Sequence, residues 1–281
     1  MNEFEKQLIQ VVEDMYEIAK TEHSDVLKLY KKTQDNILEF FNLLFLKYGN
    51  DGTIAYSDLY KYNRLQSVES FLQNELETLQ QQENNIVYDI LLTIYTATYY
   101  RNAYSFEQAL GSKGRYSKLT PAFITSVIEK NWSGVIFSQR IKDNHTSLSK
   151  KLLSDFSQSI RLSEPISKIK KKVEKELGIR YNHSKTLMNT ESARVIASSQ
   201  EKLFNDSGVV EGLEFTAVLD NRTTEYCREH DGYVYRIDDP ERPELPAHAY
   251  CRSCWLPVLI NQFNINPNAS FDNFDEWFGS I

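Results

Sequence analysis

Apolar side chains recur at helical spacing over most of the chain. From residue 3 to 48, Leu8, Val12, Met15, Tyr16 and Ala19 are followed by Val26, Leu27 and Tyr30, then by Ile37, Leu38, Phe41, Leu44 and Phe45. Steps of three and four place such residues on one helix face. Gly49-Asn50-Asp51-Gly52 ends this tract as a turn. A second tract opens at Ser57, an N-cap residue type, and runs through Leu59, Tyr62, Leu65, Leu72, Leu76 and Leu79 to Ile86, Ile90 and Ile94. Its glutamine-rich stretch, 80–85, is expected to interrupt the helix or expose it. Tyr88, Tyr95, Tyr99, Tyr100 and Tyr104 read as amphipathic side chains at helix seams, with a protein-binding surface as the alternative.

Gly111-Ser112-Lys113-Gly114 is the expected boundary between an N-terminal helical region, residues 1–112, and a second region, 115–262. Thr120-Pro121 opens a helix with an N-cap and an N1 proline. Helical patterning continues through Trp132, Ile136 and Ile141 and again from Ser147 to Ile160. Ser163-Glu164-Pro165 opens another helix, expected to end near Gly178. A last long helix runs from Asn182 to about Asn205 and stops at Asp206-Ser207-Gly208, with the glycine as C-cap. Lys168, Lys170, Lys171, Lys172 and Lys175, beside Glu174 and Glu176, read as a solvated helix face, with a nucleic-acid patch as the alternative.

Beyond Gly208 the texture changes to strands: 213–219, 233–237 and 255–260, the last confined to a sheet edge by Pro257. The segment 238–246 carries three prolines and is a loop. The predicted class is therefore α+β: predominantly helical N-terminal and central regions (helices over 120–206), a small C-terminal antiparallel β module over 210–260, and a tail over 263–281. Strands this short bury little apolar surface. A structural ion supplies what they lack, about 10–16 kcal/mol for zinc in small domains.

Composition narrows the class. In 281 residues, 41% apolar and 12% aromatic side chains suffice for one large or two modest domains. A net charge of −7 and a pI near 5.4 give no global attraction for nucleic acid, so DNA contact would need a local basic patch. Met1 to Lys6 lacks a signal-peptide apolar core, and no stretch is long and apolar enough to span a bilayer. A soluble chain made in a reducing cytoplasm is expected, where metal ligation is favoured over disulfides.

All three cysteines, Cys227, Cys251 and Cys254, fall within 28 positions and interleave with His230 and His248 as Cys-x2-His…His-x2-Cys-x2-Cys. Thiolate and imidazole donors in paired short spacings suit tetrahedral zinc. Two plainer readings stand beside this: buried cysteines serving as small apolar groups, and a disulfide between Cys251 and Cys254.

The order of motifs from about Thr120 to Ile260 resembles the phage head morphogenesis proteins, the Mu F-like minor head or minor capsid family. The resemblance rests on Asn131-Trp132-Ser133-Gly134, read as a tryptophan helix, and Thr190-Glu191-Ser192-Ala193-Arg194. Its sharpest part is Asp220-Asn221-Arg222-Thr223, then Cys227, Asp231-Gly232-Tyr233-Val234-Tyr235 and His248-Ala249-Tyr250-Cys251-Arg252. Two departures stand out: Thr224 where relatives carry a cysteine, and Asn189 where an arginine precedes the Thr-Glu pair. Cys254 makes up for the first. The resemblance thus implies a zinc site of Cys227, His248, Cys251 and Cys254, with His230 as alternative ligand. Asp220, Arg222, Thr223, Gly232 and Glu191 serve as structural motif residues, with an Asp220–Arg222 ion pair fixing the turn. It further implies a non-enzymatic, low-copy virion protein of the procapsid and head interior, made in the host cytoplasm and able to enter the cell with the DNA. Its partners would be the portal and the major capsid or scaffolding protein, with phage DNA reached through a basic patch. Residues 1–110 carry no family motif; the N-terminal region is read as a partner-docking region with its partner unassigned.

Two enzyme readings compete. Cys227-Arg228-Glu229 with Cys251-x2-Cys254 mimics a zinc deaminase with Glu229 as general acid/base. Tyr250 replaces the expected proline there, and the two helices that present such ligands are not evident. A zinc-braced nuclease would use His230 or His248 as base and needs a second metal.

Overall fold

A computed structural model describes residues 1–60, 63–111, 116–260 and 263–281. In chain order its elements are α1 (Glu3–Glu22), α2 (Ser24–Tyr48), α3 (Tyr56–Tyr60), α4 (Arg64–Leu110), α5 (Pro121–Ile128), α6 (Phe137–Arg161) and α7 (Ile166–Ser207). There follow β1 (Val210–Thr216), α8 (Glu225–His230), β2 (Val234–Arg236), β3 (Cys254–Leu259) and α9 (Phe274–Gly279). The fold is α+β, mostly helical, with a three-stranded antiparallel sheet. No described helix is long and apolar enough to cross a membrane.

The chain forms two interleaved units. One comprises Met1–Glu22, Tyr88–Lys130 and Thr186–Ile281; the other comprises His23–Val87 and Asn131–Lys185. Of the expected boundary at 111–114, Ser112, Lys113 and Gly114 lie outside the described residues, as does Tyr62 of the second tract.

The second unit is all helix. Val26, Ile37 and Phe41 of α2 pack with Leu72 of α4, Leu148 and Phe156 of α6 and Val173 of α7. Phe40 stacks on Phe71 at 3.9 Å and Phe41 on Phe156 at 4.7 Å. Asp51 and Gly52 adopt positive φ in the turn after α2, as the sequence there requires. Four expectations are corrected. Ser57 sits inside α3 and is not a cap, and Asn63, with φ 54°, precedes a new helix. The glutamine-rich stretch does not break α4, which is continuous for 47 residues, while Gln81, Gln82 and Asn85 are exposed as the other half of that expectation has it. Gln, Glu and Asn are tolerable helix formers. Glu83 in that stretch is fully buried, where its Oε2 accepts from the Tyr30 hydroxyl at 3.1 Å and meets His145 Nε2 at 2.6 Å. Asn131-Trp132-Ser133-Gly134 is a turn, not a helix: Gly134 has φ 89° and its carbonyl accepts from the Asn131 amide. Gly178 does not end a helix, because α7 runs through it for 42 residues. The penalty of about 1 kcal/mol for an interior glycine is small beside the burial of Ile169, Val173 and Leu177.

The first unit builds its core from Phe4 and Leu8 of α1, Tyr99 and Phe106 of α4, Leu203 and Phe204 of α7, and Phe215 and Trp255 of the sheet. Tyr95, Tyr99 and Tyr104 are buried, in line with seam packing. Thr120 caps α5, its hydroxyl accepting from Phe123 N at 3.3 Å with Pro121 at N1. Gly208, with φ 63°, ends α7. Strand order is β2-β1-β3, so β3, with Pro257 opposite Leu213, lies at an edge as proline demands. Gln200 of α7 completes that edge: its side-chain amide donates to Trp255 O at 3.1 Å and accepts from Trp255 N at 3.2 Å. β1 starts and stops earlier than the expected 213–219, because the chain from Ala217 onward leaves the sheet and Val218 and Leu219 are exposed. The segment 263–281, expected as a tail, folds back onto α4. Trp277 lies 5.4 Å from Tyr104, Phe278 lies 5.2 Å from Tyr100, and Asn273 N donates to the Tyr104 hydroxyl at 3.1 Å.

His23, at the junction of α1 and α2, is buried in the second unit against Ser184 and Tyr181. Burial lowers its pKa to about 4, with Glu83 opposing and Lys185 assisting. The unfolded imidazole takes its proton near 6.5, so between pH 6.5 and 4 the unfolded state binds more protons and stability falls with pH. The loss should approach about 3 kcal/mol and flatten below pH 4. Urea denaturation at pH 7 and 4.5 should show this loss in the native chain and a smaller one in His23→Gln.

Candidate metal centre

The site is assembled from three short pieces of the first unit. Asp220-Asn221-Arg222-Thr223 folds as an Asx turn, with Asp220 Oδ1 accepting from Arg222 N and Thr223 Oγ1 accepting from Asp220 N, both at 2.8 Å. Thr224 then caps α8, its hydroxyl accepting from Cys227 N at 3.4 Å. This six-residue helix was not evident in the sequence, since few apolar positions mark it; it places Cys227, buried, in its first turn. Asp231 and Gly232 return the chain. Asp231 Oδ1 accepts from Ala217 N at 2.8 Å and Gly232 N donates to Phe215 O at 2.9 Å, with Gly232 at φ 78°. The third piece is the loop 248–251, a tight turn in which Cys251 N donates to His248 O at 3.1 Å and Tyr250 adopts φ 60°.

One carboxylate ties the first piece to the third. Asp220 Oδ2 accepts from the Arg252 guanidinium at 2.7 Å and from Arg222 at 3.4 Å. The predicted Asp220–Arg222 pair is present, but Arg252 is the closer partner. Arg252, then Arg222, holds the Asp220 carboxyl well below the usual carboxylate range. Arg228 adds donations to the Asp220 and Thr223 carbonyls. Arg252 closes the His248–Arg252 motif on which the resemblance rests, but nothing in the spacing assigned it this role.

Cys227, His248 and Cys251 converge, their donor atoms all within 4.8 Å of one another. Cys227 Sγ lies 3.2 Å from His248 Nε2. His248 Nδ1 lies 2.8 Å from the Ala249 carbonyl, which places its proton on Nδ1 and leaves Nε2 bare toward the thiols. A ligating histidine commonly donates its other N–H in this way. Burial raises the Cys251 thiol, opposed by hydrogen bonds from Ser253 and Ala247 and assisted by Cys227. Two thiols and an imidazole oriented on one point fit a borderline cation such as zinc.

The other two expected donors are not in this group. Cys254 is buried at the start of β3 opposite Thr216, and burial, with Cys251 and Glu13, pushes its thiol up to about 12. His230 directs Nδ1 to the Tyr226 carbonyl at 2.7 Å and stacks on the Tyr226 ring at 4.0 Å. No disulfide joins Cys251 and Cys254; all three thiols are free and buried. Glu229 is exposed on α8. Cys251-x2-Cys254 leads into a strand, whereas the deaminase arrangement needs a helix there.

Glu191 lies behind the module. Its Oε2 accepts from Arg194 Nε at 2.7 Å, and the guanidinium donates to the carbonyls of Val127 and Ile128, at 2.8 and 3.0 Å, where α5 ends. Both side chains are almost fully buried. This motif is therefore a brace between α7 and α5.

Residues 150–256, from α6 to β3, match the family model described as Phage Mu protein F like protein, which bears out the resemblance over the segment holding the donors, the Asp220 turn and the Glu191–Arg194 brace. A curated relative, Minor head protein GP7 of Bacillus phage SPP1, is 21% identical over 214 residues, covering 75% of this chain and 70% of the relative. No solved structure matches the chain. The names point to a phage minor head protein.

Two outcomes follow from this geometry. Arg194→Ala breaks a buried ion pair and removes the donors to the Val127 and Ile128 carbonyls, and it should cost about 3–5 kcal/mol in chemical denaturation; an unchanged midpoint would remove the brace. Asp220→Asn should weaken metal affinity by about 10–100-fold, read by competition with a chromogenic chelator, while the metal-free fold persists.

Proposed function

We propose that this chain is a non-enzymatic minor head protein of a tailed phage, acting at the portal and capsid interior during procapsid assembly, with a zinc-stapled module as a rigid docking element. The observation that carries the reading is the convergence of Cys227, His248 and Cys251 inside the Mu F-like segment, fastened by Asp220 and Arg252. The ion would supply cohesion to a sheet too small to stand alone. Cys227, His248 and Cys251 would hold it, while Asp220, Arg252 and the Ala249 carbonyl orient them.

The name of the SPP1 relative supports the head assignment. The resulting location is the procapsid and virion interior, after synthesis in the host cytoplasm. Portal, major capsid or scaffolding protein are the partners, with DNA reached through local basic residues and followed into the cell. Lys168 and Lys172 pair with Glu164, which favours a solvated face for part of the lysine run. The deaminase reading is disfavoured because Cys251-x2-Cys254 leads into strand β3 and not into a helix.

Mass spectrometry of purified procapsids and heads tests this assignment. The chain should be present at far fewer copies than the major capsid protein, and a Cys227→Ser chain should be incorporated severalfold less. Absence from particles, or a deamination activity abolished by Glu229→Ala with metal and fold retained, would refute it.

A further inference from the structure

We infer that the ion held by Cys227, His248 and Cys251 keeps one coordination place for a small anion from outside the chain, reached through an arginine-rimmed pocket. This rests on the metal reading above and goes beyond it, because a purely structural zinc site is closed by four protein donors. Among the described residues, the converging group has three donors. The two residues whose spacing offered a fourth stand outside it: His230 turns to the Tyr226 carbonyl and ring, and Cys254, buried at the start of β3 with its thiol near Cys251 and Glu13, does not join the converging group.

A second observation shows where the remaining place opens. Cys227 and His248 line a cavity of about 10 Å³ together with Arg222, Thr223, Tyr250 and Arg252. That is close to the room one water-sized ligand needs. Donors at the wall of a cavity can be reached by an exogenous ligand; donors enclosed by packing cannot. The charge of the rim favours an anion. Arg222 and Arg252, which line the cavity, share the carboxylate of Asp220, and Arg228 donates to backbone carbonyls of the same turn, so three guanidiniums gather at the Asp220 turn. A divalent cation with two thiolates and a neutral imidazole is itself uncharged, so it neither repels an anion nor cancels the rim.

Cobalt(II) makes the coordination visible. The full-length chain, loaded with cobalt in place of zinc, should bind one equivalent. Its visible d–d spectrum should shift saturably as azide is added. Arg222→Gln should retain cobalt and bind azide severalfold more weakly. Cys254→Ala and His230→Asn should retain both the metal and the azide response. A cobalt spectrum indifferent to azide overturns the open place while leaving the metal site intact, as does loss of cobalt in folded Cys254→Ala. Failure of the native chain to bind any cobalt or zinc overturns the metal reading itself, and the inference with it.

Discussion

The carboxylate of Asp220 is the point on which the β module turns. It closes its own Asx turn, which launches α8 with Cys227, and it also holds Arg252, which follows the loop bearing His248 and Cys251. Two segments 32 residues apart in sequence are thereby fastened at one carboxylate, Oδ1 closing the turn and Oδ2 holding Arg252. Charge-assisted hydrogen bonds of this kind are short and directional. The guanidiniums also keep Asp220 ionised far into acid, so the fastening does not depend on pH across the physiological range.

Behind this fastening the module leans on helices. A three-stranded sheet with one strand of three residues buries too little to fold by itself. Phe215 and Trp255 therefore pack with Phe4, Phe106 and Phe204, and Gln200 occupies the open edge of β3 where a further strand would otherwise pair. Edge strands left bare invite association, and a buried side-chain amide that satisfies both backbone groups removes that hazard. The Glu191–Arg194 pair does similar work at the C-terminal end of α5, whose carbonyls would otherwise lack donors. The matched family segment contains Glu191, Arg194, Gln200, Phe204, Phe215 and Trp255 as well as the donors, which suits a unit in which α7 and the metal module fold together.

The second unit shows a different economy. Its apolar core is ordinary in composition but encloses Glu83, His145 and Tyr30 in one hydrogen-bonded group, with His23 nearby. Buried polar groups are tolerated when their partners are supplied from within. They select one alignment of α2, α4 and α6, because sliding any helix by a turn would separate donor from acceptor.

Much of this was written in the sequence. Helical periodicity, the Thr120-Pro121 start, the Gly208 stop, Pro257 at an edge and the clustering of Cys227, His248 and Cys251 each follow from local chemistry that neighbouring residues cannot override. Other features were decided by tertiary structure. Continuity of α4 through 80–85 and of α7 through Gly178 came from burial of side chains far away in sequence. The folding back of 263–281 came from aromatic faces on α4. Which donor atoms converge also belonged to the fold: spacing brings Cys254 and His230 close along the chain, but the path of β3 and the Tyr226–His230 contact decide where their donor atoms lie. Periodicity and spacing are properties of a few consecutive residues, and so a sequence determines them; coordination and helix length depend on which distant surfaces meet, and those are fixed by packing.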